Sequence, residues 1–220
     1  RDFLKIGGVV AAGTALWTAG IRMSSAASVR PVRRISAAQP AVEGAGVRLR
    51  RAFGFGDTKE FVYFYPGAVR IGEKASAPVK NRSHTITTKI DLKGDEEGVL
   101  VAVGGMTGGF TMFIMDGKLY YDYNYLDGVY YTMKSAKLPK GETEFKFKFT
   151  KTIEFGGHGE LYVNGEKVDE ADMPKMHIST YSLAETFDVG SDTGTQVSKL
   201  YTGPFPFKGE LDRVIITLDD

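Results

Sequence analysis

The chain has 220 residues, 42% hydrophobic and 25% charged, with a formal net charge of +1 and no cysteine. That length buries a core without staples, and the missing thiols exclude disulfides, cysteine nucleophiles, zinc fingers, cysteine-ligated iron–sulfur clusters and lipidated cysteine anchors. The near-neutral total hides an asymmetry: residues 1–51 carry nine basic against two acidic residues (+7), and the remainder nineteen against twenty-five (−6). A basic leader on a mildly acidic domain suits a membrane-proximal N-terminus. A nucleic-acid binder would instead line a folded face with basic residues and stacking aromatics, so nucleic acid is not an expected partner.

In chain order, the first element is the uncharged run from Ile6 to Ile21, rich in Gly and Ala and flanked by Lys5 and Arg22. Its 16 residues fall short of the ~20 that span a bilayer, as an export-signal core does. The stretch Arg1-Asp2-Phe3-Leu4-Lys5 resembles the second half of a twin-arginine export motif, with one arginine where that motif has two. Residues 1–21 are therefore expected to form a signal or membrane-anchor helix. If it is kept, Phe3, Leu4, Val9, Val10, Leu16 and Trp17 meet lipid or a partner; small-residue cleavage sites stand at Ser25-Ala26-Ala27 and Ser36-Ala37-Ala38. The expected location is the periplasmic or extracellular face. Residues 22–46, small, basic and broken by Pro31 and Pro40, read as a linker.

From Val47 the period changes to two, and residues 47–220 read as one all-β domain. Phe145, Phe147 and Phe149 alternate with Lys146 and Lys148, and Ile86, Thr88, Ile90 and Leu92 with Thr87, Lys89 and Asp91, the signature of half-buried strands. Hairpin turns are expected at Asp116-Gly117, Asp127-Gly128 and Asn164-Gly165. No helical period persists beyond one turn. Many short antiparallel strands imply a two-sheet sandwich of the jelly-roll or concanavalin-like type, preceded by the apolar helix and the extended linker.

Several motifs follow one another in a recognisable order: Phe64-Tyr65-Pro66-Gly67-Ala68-Val69-Arg70, Lys80-Asn81-Arg82-Ser83-His84, Gly98-Val99-Leu100-Val101-Ala102, Asp116-Gly117-Lys118-Leu119, Glu185-Thr186-Phe187-Asp188-Val189-Gly190 with Asp192-Thr193-Gly194, and Pro204-Phe205-Pro206-Phe207 with Gly209. From about Arg50 to the end the series resembles the C-terminal region of large bacterial arylsulfatases. The resemblance implies a β-sandwich that, in those enzymes, is appended to a catalytic domain holding a formylglycine, made within Cys/Ser-x-Pro-x-Arg, and a divalent metal. Residues 1–46 hold no such motif. Ser76-Ala77-Pro78-Val79-Lys80 ends in Lys and lies inside the sandwich match, so the activity does not travel with the fold.

The remaining candidates are weighed singly. His84, His158 and His177 show no metal-ligand spacing and read as satisfied or solvated side chains. Glu210-Leu211-Asp212 begins the paired-carboxylate pattern of sandwich glycosidases, but Ile215 stands where the third acid belongs. Asp188 and Asp192, on a Gly-kinked loop, could hold a calcium ion, or could close a turn onto backbone amides. Tyr121, Tyr123, Tyr125 and Tyr130, with Met112, could form a binding surface for a sugar or a protein, or could be plain core. No cofactor is expected. The composite expectation is an exported non-catalytic module that docks onto another protein, as an accessory or structural subunit of a membrane-associated or extracellular assembly. A carbohydrate-binding module and the non-catalytic portion of an arylsulfatase are the alternatives.

Overall fold

The computed structural model describes residues 58–126 and 128–219. The expected leader helix at 1–21, with Phe3, Leu4, Val9, Val10, Leu16 and Trp17, and the linker at 22–46 lie outside the described residues, as does Asp127. Among the described residues no helix is long and apolar enough to cross a membrane.

Among the described residues there are twelve strands and one 3₁₀ turn (Glu73–Ala75). In chain order they are β1 (Glu60–Phe64), β2 (Ile71–Gly72), β3 (His84–Leu92), β4 (Gly98–Gly105), β5 (Gly108–Met115), β6 (Lys118–Leu126), β7 (Val129–Lys137), β8 (Gly141–Ile153), β9 (Gly156–Val163), β10 (Glu166–Met173), β11 (Thr186–Val189) and β12 (Arg213–Leu218). They form two six-stranded sheets, β1-β12-β3-β8-β9-β10 and β2-β11-β4-β5-β6-β7. Every strand pair is antiparallel. This is the all-β two-sheet sandwich that the period-two patterning implies.

The patterning assigns faces as expected in the first sheet. Ile86, Ile90, Phe145, Phe147 and Phe149 point inward and are buried, with Lys89 and Lys148 between them exposed. Against them the second sheet places Tyr121, whose ring stacks on that of Phe147 at 3.5 Å and 8°. Each such aromatic contributes roughly 1.5–3 kcal/mol by leaving water. The second sheet departs from half-burial: β4 and most of β5 are buried on both faces. Its outer face is covered by the segment that precedes β12, which packs Val197 and Tyr201 against Val99, Ala102 and Phe113.

Two hairpins have the expected chemistry. Asp116-Gly117 joins β5 to β6 with φ of 52° and 68°, and Asn164-Gly165 joins β9 to β10 with 52° and 80°. Two successive left-handed residues match the right-handed twist of the flanking strands, which is why Asn, Asp and Gly occupy these turns. The sequence GGHGE, turn-like by composition, is instead strand: His158 lies inside β9, paired with Thr150 and Asp172.

Candidate functional site

Antiparallel connectivity brings the β4–β5, β6–β7 and β8–β9 hairpins to one end of the sandwich. Two long connections cross there. The first, 174–185, is held by Met176 N–H donating to Phe155 O (2.8 Å), His177 N–H to the Tyr123 hydroxyl (2.9 Å) and Thr107 Oγ1–H to Tyr181 O (3.1 Å). The second is tied in through Met106 N–H to Thr195 Oγ1 (3.0 Å) and through Asn124, whose amide donates to the carbonyls of Gly105, Met106 and Val197. These bonds tie both connections to the sheets, and Met176, Tyr181 and Val197 anchor them in the core, while several of their other apolar side chains face water. Leu183 is 98% exposed, Ile178 74% and Met106 63%, with Ile153, Leu126, Val129 and Leu200 exposed around them. The polypeptide enters the domain at this same end, where Leu218 N–H donates to Lys59 O and Asp219 N–H to Ser83 O.

Beside the 174–185 connection a pocket of about 430 Å³ opens between the sheets. Its depth is lined by Val103, Phe110, Phe187 and Ile216, and its rim by Glu73, Lys74, Lys80, Arg82, Thr180 and Tyr181. Glu73 holds the rim together. Its Oε2 accepts the Tyr181 amide at 2.9 Å, it pairs with Lys80, and the Lys80 ammonium lies 4.0 Å from the Tyr181 ring centroid. Burial pushes the Lys80 ammonium down to about 8. Burial, and then the Lys80 charge, push the neighbouring His177 imidazole below its usual value. The buried Tyr181 hydroxyl finds no partner with hydrogen-bond geometry.

The residues singled out from sequence are largely elsewhere. Tyr121, Tyr123 and Met112 are core, at most 1% exposed, which corrects their assignment to a binding surface. Tyr121, Tyr123 and Tyr125 do share a face, but that face looks at the other sheet. Tyr125 and Tyr130 are half-buried; Tyr125 packs against the His177 ring at 5.5 Å, and Tyr130 carries the Lys199 ammonium 4.7 Å from its centroid.

Asp188 and Asp192 are buried and turned onto internal donors. Asp188 accepts Arg70 N–H (2.5 Å), Thr186 Oγ1–H (2.8 Å) and Thr193 Oγ1–H (3.0 Å). Asp192 Oδ2 accepts Val197 N–H (2.8 Å) and the Tyr201 hydroxyl (2.6 Å), while burial raises its carboxyl to about 6. Both oxygens of Asp188 and Oδ2 of Asp192 thus face hydrogen-bond donors, as turn-closing carboxylates do, rather than standing free for a calcium ion.

Groups able to meet around a metal lie on another surface. His158 and Glu160 on β9 and Glu170 on β10 bring ligand atoms within 4.8 Å of one another. There Lys167 already pairs with Glu160 and Glu170, and the Asp172 hydrogen bond, against a smaller effect of burial, raises the His158 imidazole. Sequence reasoning missed Ile178 and Leu183. The available signal was the stretch HISTYSLA, in which Ile178, Tyr181, Leu183 and Ala184 are spaced among polar residues in a way that fits neither a period of two nor one of 3.6.

No family model matches the chain, and no curated protein is similar to it in sequence. Among solved structures it is similar to the CBM40 domain of the Ruminococcus gnavus IT-sialidase bound to alpha2,6 sialyllactose, at 20% identity and a TM-score of 0.47 over 68% of this chain and 88% of that one. Domains LG4-5 of the mouse laminin alpha1 chain match at 11% and 0.47, over 73% and 39%. The NanB sialidase of Streptococcus pneumoniae matches at 16% and 0.47, over 66% and 22%. Likeness at this level concerns sheet architecture and carries no activity or ligand to this chain.

Proposed function

We propose that this chain is an exported, non-catalytic binding module that docks onto a partner protein through the loop-built end of its sandwich. The observation that carries the reading is the convergence of Met106, Ile178 and Leu183, the three most exposed large apolar side chains among the described residues, on connections whose backbone is firmly hydrogen-bonded. Exposed aliphatic side chains on a fixed framework lose little entropy on binding and gain by leaving water, which is how interface cores are built. The resemblance to the sandwich of arylsulfatases agrees, since there it packs on another domain. The entry of the polypeptide at this end would direct the docking face toward whatever residues 1–57 engage, a membrane included.

The test is site-specific photocrosslinking in the native envelope fraction, with the crosslinker at position 178 or 183 and, as a control, at Lys148 on the outer face of the other sheet. One protein captured from the first two positions and not from the third is expected, with its capture lost in the double variant Ile178→Asp, Leu183→Asp. Glycan-array binding that survives the double variant but fails on Tyr125→Ala would replace docking with the carbohydrate reading. Sulfate-ester hydrolysis by the purified chain would overturn the non-catalytic one.

A further inference from the structure

We propose that the pocket beside the Glu73–Lys80 pair binds a small amphipathic carboxylate, a hydrocarbon group carrying one anionic head. The proposal concerns a separate site and stands whether or not the apolar end meets a protein. Three features argue for it. The depth is hydrocarbon, drawn from both sheets, with Val103, Phe110, Phe187 and Ile216 each at most 3% exposed to solvent. The size of about 430 Å³ lies within the roughly 300–1,000 Å³ usual for small-molecule sites. Basic side chains outnumber acidic ones in the lining, with Lys74, Lys80 and Arg82 beside the single acid Glu73, a make-up that favours an anionic head group over a cationic one.

Lys80 is placed to receive the head group. It is held at the rim between the Glu73 carboxylate and the Tyr181 ring, about a quarter exposed, so one side of the ammonium is fixed and another meets solvent. A second carboxylate arriving there restores the charged form that burial disfavours. Binding above pH 8 therefore takes up a proton at Lys80 Nζ. A neutral alcohol of the same length would satisfy the hydrocarbon depth but not the rim, and an amine would be repelled by it. The acid could come from a free aliphatic carboxylate or from the C-terminal residue of a peptide, and the two sources are separable by experiment.

The experiment is calorimetric titration of the full chain at pH 8.5 in two buffers of different ionisation enthalpy. The probes are sodium octanoate, with n-octanol and octylammonium as head-group controls, and a capped dipeptide ending in leucine, as the free acid and as the amide. Expected is saturable one-to-one binding of octanoate at least tenfold tighter than of octanol, weaker binding still of octylammonium, and net proton uptake. Thr180→Trp, which crowds the mouth without touching the floor, should abolish binding. Lys80→Met should weaken it at least tenfold, whereas Lys80→Arg should keep the affinity and lose the proton uptake, since guanidinium does not titrate there. Binding of the peptide acid over its amide, with octanoate silent, would assign the carboxylate to a peptide terminus. Equal affinity for all three head groups, or no saturable binding of either acid, would overturn the proposal. Melting curves accompany each variant, and should Lys80→Met unfold, the Lys80→Arg and Thr180→Trp pair decides.

Discussion

His84 and Asp192 are each 1% exposed, and burial acts on them in opposite directions. His84 packs beside the rings of Phe147 and Phe149, its Nδ1 2.9 Å from Arg82 O, and burial lowers its imidazole to about 4. Between pH 6.5 and 4 the unfolded chain therefore binds a proton that the folded one refuses, and stability falls with acidification by about 3 kcal/mol in all. Asp192, raised to about 6, does the reverse. Between its unfolded value and 6 the folded chain holds the extra proton, so stability falls as pH rises, again by about 3 kcal/mol. These two contributions nearly cancel between pH 4 and 6. Denaturant unfolding across that window should show His84→Phe losing stability with rising pH relative to the parent, and Asp192→Asn gaining it, each by about 1.4 kcal/mol per pH unit. Parallel pH profiles for parent and variants would contradict the burial argument. The two acids of the proposed calcium loop also make a direct prediction. With their oxygens facing internal donors, we expect melting to be unchanged by chelator or by added calcium, and a calcium-dependent rise in melting temperature would restore a metal role to Asp188 and Asp192.

The hairpins separate local from tertiary demands on glycine. Gly165 has φ of +80° with open space around its missing Cβ, so Gly165→Ala should cost about 1 kcal/mol through backbone strain alone and leave partner capture intact. Gly108, at φ +145°, would place a Cβ 2.1 Å from the His177 ring. Gly108→Ala should therefore cost more than the Gly165 change in urea unfolding. It should also dislodge the 174–185 connection, seen as faster proteolysis there and loss of crosslinking from positions 178 and 183. If Gly108→Ala behaved like Gly165→Ala, the loop would not depend on that close approach. The first of these glycines was legible, since Asn-Gly between two apolar runs is a turn by local chemistry. The second was not, because its constraint comes from a ring 69 residues away in the chain.

Across the whole molecule, stability and proposed function sit on different surfaces. The core lies between two sheets and beneath the 190–207 segment, and the 174–185 connection adds Met176 and Tyr181 to it, whereas Met106, Ile178 and Leu183 at the proposed docking end stand outside it in water. Ile178→Asp with Leu183→Asp should accordingly move the unfolding free energy by no more than about 0.5 kcal/mol while weakening the partner complex at least tenfold. Tyr121→Ala should do the opposite: removing a ring stacked on Phe147 in the core should cost about 3–5 kcal/mol. A double Asp variant that melts far below the parent would show that these residues belong to the core after all.

What the amino-acid sequence determined by itself is whatever depends on neighbours two to four residues apart. Alternation in ETEFKFKFTK assigned inside and outside to β8, and Asp116-Gly117 and Asn164-Gly165 placed two turns, so an antiparallel sandwich was readable before any contact was known. Period two says that Tyr121, Tyr123 and Tyr125 share a face, but not what that face meets. Only the first sheet, stacked against it, made Tyr121 and Tyr123 core, while Ile178 and Leu183 were left facing water. The pocket is likewise tertiary, since Glu73 and Lys80 meet Tyr181 across about a hundred residues of chain, and their mutual desolvation exists only once the sheets have closed.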